Sequence, residues 1–309
     1  MQKILVIKLS ALGDFVLALP AMAAIRRHHQ GAHITLLTTA LFYDLATATG
    51  YFDAIIVDQK PKFHDVKGLM LLRQKLNAQR YDRVYDLQLN SRVQKYRWLF
   101  KSPKPEWSGI HPKGKDLAWR EKNWRAVHAF ERHRQILRLA GIEIDDAPPS
   151  WLQNIPSAFS LQKPYVLLMA GSAPQHLSKR WSVKKYIALA VKLSHMGYQP
   201  VLIGTQAEQD ITSAIASYCP EVKNLTGQTS LFDITLLAQE AAAVIGNDTG
   251  PIHLAAYAGA PVIVLFGPFS NPAQSAPRGL VRVIKADDIN EINLIDVLKV
   301  FDEIKRDGQ

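Results

Sequence analysis

Short apolar runs alternate with amphipathic stretches along the whole chain. In the first half, strand-like runs occupy residues 3–8, 33–38, 54–57 and 83–86, and helical spacing of apolar positions fills 15–29, 66–78 and 129–139. The second half repeats the scheme, with strand-like runs at 165–169, 199–204, 243–246 and 261–266 and helical spacing over 183–195, 207–218, 231–240 and 250–258. Strands that are apolar throughout, separated by helices, predict βαβ units whose parallel sheets are covered on both faces. Pro148, Pro149, Pro156 and Pro164 punctuate the middle as a linker. The pattern therefore predicts an α/β chain of two Rossmann-like domains, residues 1–160 and 161–309, with the last helix free to pack back on the first. Ligands of such sheets bind beyond the carboxyl ends of the strands. The two domains are expected to face each other across a cleft.

Composition narrows the class. The chain has 309 residues, of which 48% are hydrophobic and 21% charged, the balance of a well-cored globular protein rather than a disordered, collagen-like or coiled-coil one. A single cysteine, Cys219, excludes an internal disulfide and fits a reducing compartment. No apolar run approaches the ~18 residues of a membrane span. The first strand-like run ends at Lys8 with no small-residue cleavage site after it, which makes a poor signal peptide. A cytoplasmic protein is expected.

The net charge of +10 is concentrated. Residues 92–138 carry 13 basic and four acidic side chains, a net of +9, together with Trp98, Trp107, Trp119 and Trp124 and with His111, His128 and His133. Indoles favour a water–lipid boundary and cations are drawn to surface phosphates, so this stretch suits an anionic membrane face or another polyanion. Nucleic acid competes on charge alone, and a plain solvated basic face is the third reading.

The chemistry-bearing motifs are few. The first strand is followed by Leu9-Ser10-Ala11-Leu12-Gly13-Asp14, which lacks the dinucleotide fingerprint, and there is no Walker A, no H-E-x-x-H and no Cys/His metal cluster. Asp14 opens a helical run, either as its N-cap or as a general base at the edge of a cleft. Gly171-Ser172 follows a strand and precedes Lys179-Arg180-Trp181, adjacent cations suited to a diphosphate or to a solvated turn. Glu208 stands just beyond a strand at a helix start, where a carboxylate accepts two hydrogen bonds from a ribose diol or simply complements the helix dipole. Gly246-Asn247-Asp248-Thr249-Gly250-Pro251-Ile252-His253 follows a strand and opens a helix, whose free N–H groups bind phosphate. Asp248 is awkward there, since a carboxylate repels phosphate; its ordinary role is the helix N-cap. A base in one half with phosphate and ribose ligands in the other describes group transfer from a nucleotide.

Three segments also carry a family resemblance: Lys8 to Asp14 with Leu19-Pro20-Ala21, Gly171-Ser172 with Lys179-Arg180-Trp181, and Gly246 through His253 with Leu254-Ala255-Ala256. Together they resemble glycosyltransferase family 9, the ADP-heptose:lipopolysaccharide heptosyltransferases. The resemblance implies a GT-B fold and an inverting transfer of heptose from ADP-heptose to the inner core of lipopolysaccharide, with no metal or other cofactor. Position by position it implies Asp14 as base, Lys179 at the donor phosphates, Glu208 at the ribose, and Asp248, Thr249 and Gly250 as the donor-binding turn, with His253 near the sugar. Ser172 and Arg180 are expected to assist on the donor side. The acceptor, a lipid-linked saccharide bearing phosphates and carboxylates, accounts for the basic stretch better than nucleic acid, with Arg92, Lys95, Arg97, Lys113, Lys115 and Arg120 as candidate contacts. The implied location is the cytoplasmic face of the inner membrane, peripherally. Ser182 stands where proline often follows the Lys-x-Trp element, and Ala173 to Ser178 form a longer polar insert. The competing readings are a nucleotide-sugar epimerase or hydrolase on the same scaffold, and a non-catalytic module for anionic lipid.

Overall fold

A computed structural model describes residues 1–110, 117–118, 123–145, 149–152, 155 and 157–307. Its contacts divide the chain into two units, Met1–Ala147 and Pro148–Gln309, so the division falls at the first proline of the expected linker rather than at residue 160.

The first unit runs β1 (Lys3–Ile7), α1 (Leu12–Val16), α2 (Leu19–His28), β2 (His33–Thr38), α3 (Tyr43–Ala48), β3 (Ala54–Val57), α4 (Val66–Leu76), β4 (Arg83–Asp86), α5 (Ser91–Tyr96), β5 (Glu106–Gly109), β6 (Leu117–Ala118) and α6 (Ala129–Leu139). Its strands pair in parallel in the order β3-β2-β1-β4-β5-β6. β1 has no exposed residue, and Ile4 to Ile7 are fully buried, because helices cover both faces of a parallel sheet. The helical run expected over 15–29 is two helices. Pro20 sits in the first turn of α2, where its missing N–H costs nothing, and the chain turns at Leu17 and Ala18 between them.

The second unit runs β7 (Tyr165–Met169), α7 (Val183–His195), β8 (Gln199–Leu202), α8 (Gln209–Ala216), β9 (Lys223–Asn224), α9 (Leu231–Glu240), β10 (Ala243–Asn247), α10 (Gly250–Tyr257), β11 (Val262–Phe266), α11 (Pro272–Ser275), β12 (Val281–Lys285) and α12 (Leu294–Asp307). The order is β12-β11-β10-β7-β8-β9, again parallel. Every residue of β7, β10 and β11 is buried. The last helix, α12, buries Val297, Phe301 and Ile304 and packs on β11, β12 and α7 of its own unit.

Each sheet reverses its strand order once, between β1 and β4 in the first unit and between β7 and β10 in the second. Loops leaving such a pair diverge and open a crevice at the carboxyl edge. Asp14 follows β1; Ser172, Lys179 and Arg180 follow β7; and Asp248 to His253 follow β10. The motifs singled out in the sequence lie where this topology makes a binding site.

Candidate active site

In the second unit one glycine and one asparagine hold the ends of β7 and β10 together. A Cβ on Gly246 would stand 2.7 Å from the Met169 Cβ, so only glycine lets β10 run this close to β7. Asn247, fully buried, uses its whole amide. Nδ2 donates to Ala170 O (2.8 Å) and Gly171 O (3.1 Å), and Oδ1 accepts from Trp181 N and Tyr186 Oη, both at 3.1 Å. One side chain thus fixes the end of β7, the turn bearing Lys179 and the start of α7. The Trp181 indole is buried and donates to Ile292 O at 3.0 Å, which anchors the same turn from below.

On this base, Lys179 Nζ lies 2.7 Å from Asp248 Oδ2, the two side chains being 23% and 8% exposed. The N-cap of α10 is Thr249, with no side-chain cap bond. The capping role expected of Asp248 is therefore not the one it plays. It is the counter-ion that holds the lysine beside the first turn of α10. Burial by itself would raise the Asp248 carboxyl; His253, Lys179 and Ser270 around it, with the charge of Lys179, bring it down to about 2. His253 is buried, with Nε2 3.9 Å from Asp248 Oδ1, beyond direct hydrogen bonding, and with Nδ1 unpartnered. A carboxylate depressed from its ordinary 3.8 adds stability that is complete above that value and disappears as pH falls through about 2. Asp248→Asn is accordingly expected to cost about 2 kcal/mol at pH 7, the difference shrinking between pH 4 and 2 in urea unfolding. A difference that stayed constant with pH would remove the ion pair as its cause.

Glu208 meets the same crevice. Its Oε2 accepts from Thr205 N (2.7 Å) and Thr205 Oγ1 (3.0 Å), closing a capping box. Its other oxygen lies against Gly171, where any Cβ would collide with the carboxyl group. The helix-start role and the position beside the β7 loop are both real. Ser172 and Arg180 are bound to each other. Arg180 Nε donates to Ser172 Oγ (3.0 Å) and Nη2 to Ser172 O (2.7 Å), while Ser172 Oγ donates to His176 O at 2.8 Å. The serine proton is spent, so this pair builds the loop and leaves Lys179 as the cation at the crevice.

In the first unit, Asp14 lies in the first turn of α1, partly exposed, and the cap is Ala11 with no side-chain bond. Asp14 too is not the N-cap. Beneath it the β1 loop is tied to the β4 loop. Gln88 Oε1 accepts from Leu9 N (2.7 Å) and Ser10 N (3.0 Å), and Lys8 Nζ donates to Leu87 O at 3.0 Å. Lys8 is buried, and burial takes its amine down to about 8 against the raising pull of Asp14 and Asp86. Burial takes Asp86 up to about 7, opposed by the amides of Leu89 and Gln88 and by Lys8. His133 Nε2 shares Leu87 O at 3.0 Å, so that nitrogen carries the proton. The charge of Asp14 also acts on Arg132, whose guanidinium stacks 5.5 Å from the Trp124 ring centre while Arg125 covers the ring at 4.8 Å. Gln88 was not read from the sequence, and Asn247 was given no role there, because each acts through contacts far away along the chain.

Among the candidate acceptor contacts, Arg92 donates to Pro61 O (3.0 Å) and lies over the Phe63 ring, as does Lys95, while Arg97 stacks on Trp107 at 5.3 Å. Trp107 and His133 are buried in the core, so part of the basic, aromatic stretch is not surface. Lys113, Lys115 and Arg120 lie outside the described residues. Among the described residues no group of three or more His, Cys, Asp or Glu side chains is placed to hold a metal ion.

Known proteins share the family motifs and the fold. Residues 69–283 match the family model described as glycosyltransferase family 9 (heptosyltransferase). Lipooligosaccharide heptosyltransferase 2 of Haemophilus influenzae is 32% identical over 118 residues, 36% of this chain and 34% of that protein. Against it and two heptosyltransferases 2 like it, the chain spans about a third of the relative's length. The solved structure of E. coli ADP-heptose lps heptosyltransferase II superposes with a TM-score of 0.79 at 22% identity, covering 99% of both chains, which identifies the fold as GT-B. The iron-containing dodecameric glycosyltransferase TibC of enterotoxigenic E. coli shares the fold at a TM-score of 0.62 and 16% identity, over 99% of this chain and 78% of that one. With more than two thirds of its residues matched by the family model, the chain belongs to glycosyltransferase family 9.

Proposed function

We infer that this protein is an inverting glycosyltransferase that moves heptose from ADP-heptose to the inner core of lipopolysaccharide without a metal ion. The observation that carries the reading is the Lys179–Asp248 pair at the β7/β10 crossover, set at the start of α10, with Glu208 against Gly171 of the same β7 loop. An ammonium has three N–H donors, and Asp248 takes one. The others, with the amides at the start of α10, are suited to the charge that grows on a departing diphosphate. Glu208, beside the β7 loop, is suited to accept from the ribose hydroxyls, and His253 stands one turn into α10 on the donor side.

Asp14 supplies the base. It takes the proton of the acceptor hydroxyl as the new C–O bond forms and the C–O bond to the diphosphate breaks. A single displacement of this kind inverts the anomeric centre and needs one carboxylate, where a retaining glycosidase needs two. Arg132 and the Arg125–Trp124 stack are suited to the anionic acceptor, as are Arg92 and Lys95. The enzyme would work at the cytoplasmic face of the inner membrane, on a lipid-linked saccharide and not on nucleic acid.

The test is incubation with ADP-heptose and truncated lipid-linked core acceptors, reading ADP release and product mass, with and without EDTA. Acceptor-dependent ADP release and a product one heptose heavier, both insensitive to EDTA, are expected. A sugar altered without acceptor would point to an epimerase. Loss of transfer with EDTA would overturn metal independence, and no transfer at all would overturn the reading.

A further inference from the structure

The outer face of α4 is unusually apolar for a surface helix. Val66, Met70 and Leu71 are each more than half exposed, while Leu72 and Leu76 on the opposite face are buried in the sheet's core. Val66 and Met70 are one turn apart, so they form a continuous ridge. Leu71 is flanked one turn either way by Lys67 and Lys75, and α4 contains no acidic residue. Asp65, just before it, is spent capping the helix through Gly68 N.

Two exposed rings extend the same surface. Phe63 precedes the helix, with Lys95 Nζ 4.3 Å from its ring centre. Trp98 is 77% exposed, its carbonyl accepts from Arg73 of α4 at 3.3 Å, and Lys104 Nζ lies 5.3 Å over its indole. Exposed apolar side chains edged by cations, with an indole at the rim, match the face of a helix that lies in a lipid interface. The cations complement anionic headgroups, and a surface of this apolar character on a soluble domain marks a contact.

We propose that the outer face of α4, with Phe63 and Trp98, is the surface by which this protein docks on an anionic phospholipid bilayer. The proposal rests on the membrane part of the preceding reading and names its location: it is centred on α4 and takes in Lys95, Trp98 and Lys104 from the start of the basic stretch. It requires no acceptor saccharide in the membrane.

The experiment is flotation of the full chain with vesicles of phosphatidylglycerol and phosphatidylcholine, or of phosphatidylcholine alone, with no lipopolysaccharide present. Binding to the anionic vesicles that weakens as salt rises is expected. Met70→Glu/Leu71→Glu should lower the partition coefficient at least tenfold, and Lys67→Gln/Lys75→Gln by about fivefold per lysine at low salt. Ile295→Glu, on the exposed side of α12, should leave it unchanged. Circular dichroism and ADP calorimetry on the same variants should match the unsubstituted protein, which separates failure of docking from failure of the nucleotide site. Equal flotation of the Met70/Leu71 variant, or equal binding to neutral vesicles, would overturn the proposal. So would a dimer in sedimentation velocity that this variant abolishes while neither protein floats, since the face would then join two copies.

Discussion

Asp14→Asn is expected to slow heptose transfer by about 10²–10⁴-fold, the usual contribution of a positioned base, while ADP binding measured by calorimetry stays within a few-fold of normal. The change keeps the size of the side chain, and the position is partly exposed with no cap bond to lose, so the thermal midpoint should move little. Gln88 offers a graded companion. Gln88→Leu removes the acceptor that holds Leu9 N and Ser10 N, the two amides leading into the Asp14 turn. It should lower kcat with less effect on KM, and Gln88→Glu, which keeps the accepting oxygen, should restore most of the loss. Asp14→Asn turning over at a rate within a few-fold of the original would dismiss this carboxylate as the base.

What was readable in the chain follows from how local its cause is. The buried strands β1, β7 and β11 are runs of five mostly apolar residues, visible without any partner. β5, β9 and β12 were not. β9 is two residues long, β5 reads Glu106-Trp107-Ser108-Gly109, and β12 alternates with a half-exposed face, so each is a strand only because a neighbour supplies the ladder. The same divide runs through the site. Lys179, Glu208 and the turn after β10 were singled out because glycine, proline and charge cluster in short motifs. That Asp248 pairs with Lys179 rather than capping α10 depends on a contact across 69 residues. The four bonds of Asn247 span 61 to 77 residues, and no spacing rule announces them. Counting tryptophans likewise overstated the aromatic part of that surface, since composition cannot tell a surface Trp98 from a core Trp107.

Lys179→Ala should be the most damaging change in the second unit, for two reasons that a second variant separates. It strips the partner from a carboxylate that is only 8% exposed, and removing one member of a buried pair costs about 3 kcal/mol. It also leaves that carboxylate facing the place where a diphosphate must sit. Loss of a charged hydrogen bond at the phosphates is worth about 1.5–3 kcal/mol, so donor affinity should fall by about 10²-fold, and transfer by about 10²–10³-fold as the leaving group loses its cation. Lys179→Ala/Asp248→Asn removes both charges. If the lysine served only to neutralise Asp248, the double variant would recover stability and donor binding together. If it holds the diphosphate, stability should return in urea unfolding while ADP affinity and turnover stay low. Recovery of both in the double variant would reduce Lys179 to a structural counter-ion and leave the start of α10 as the remaining phosphate ligand.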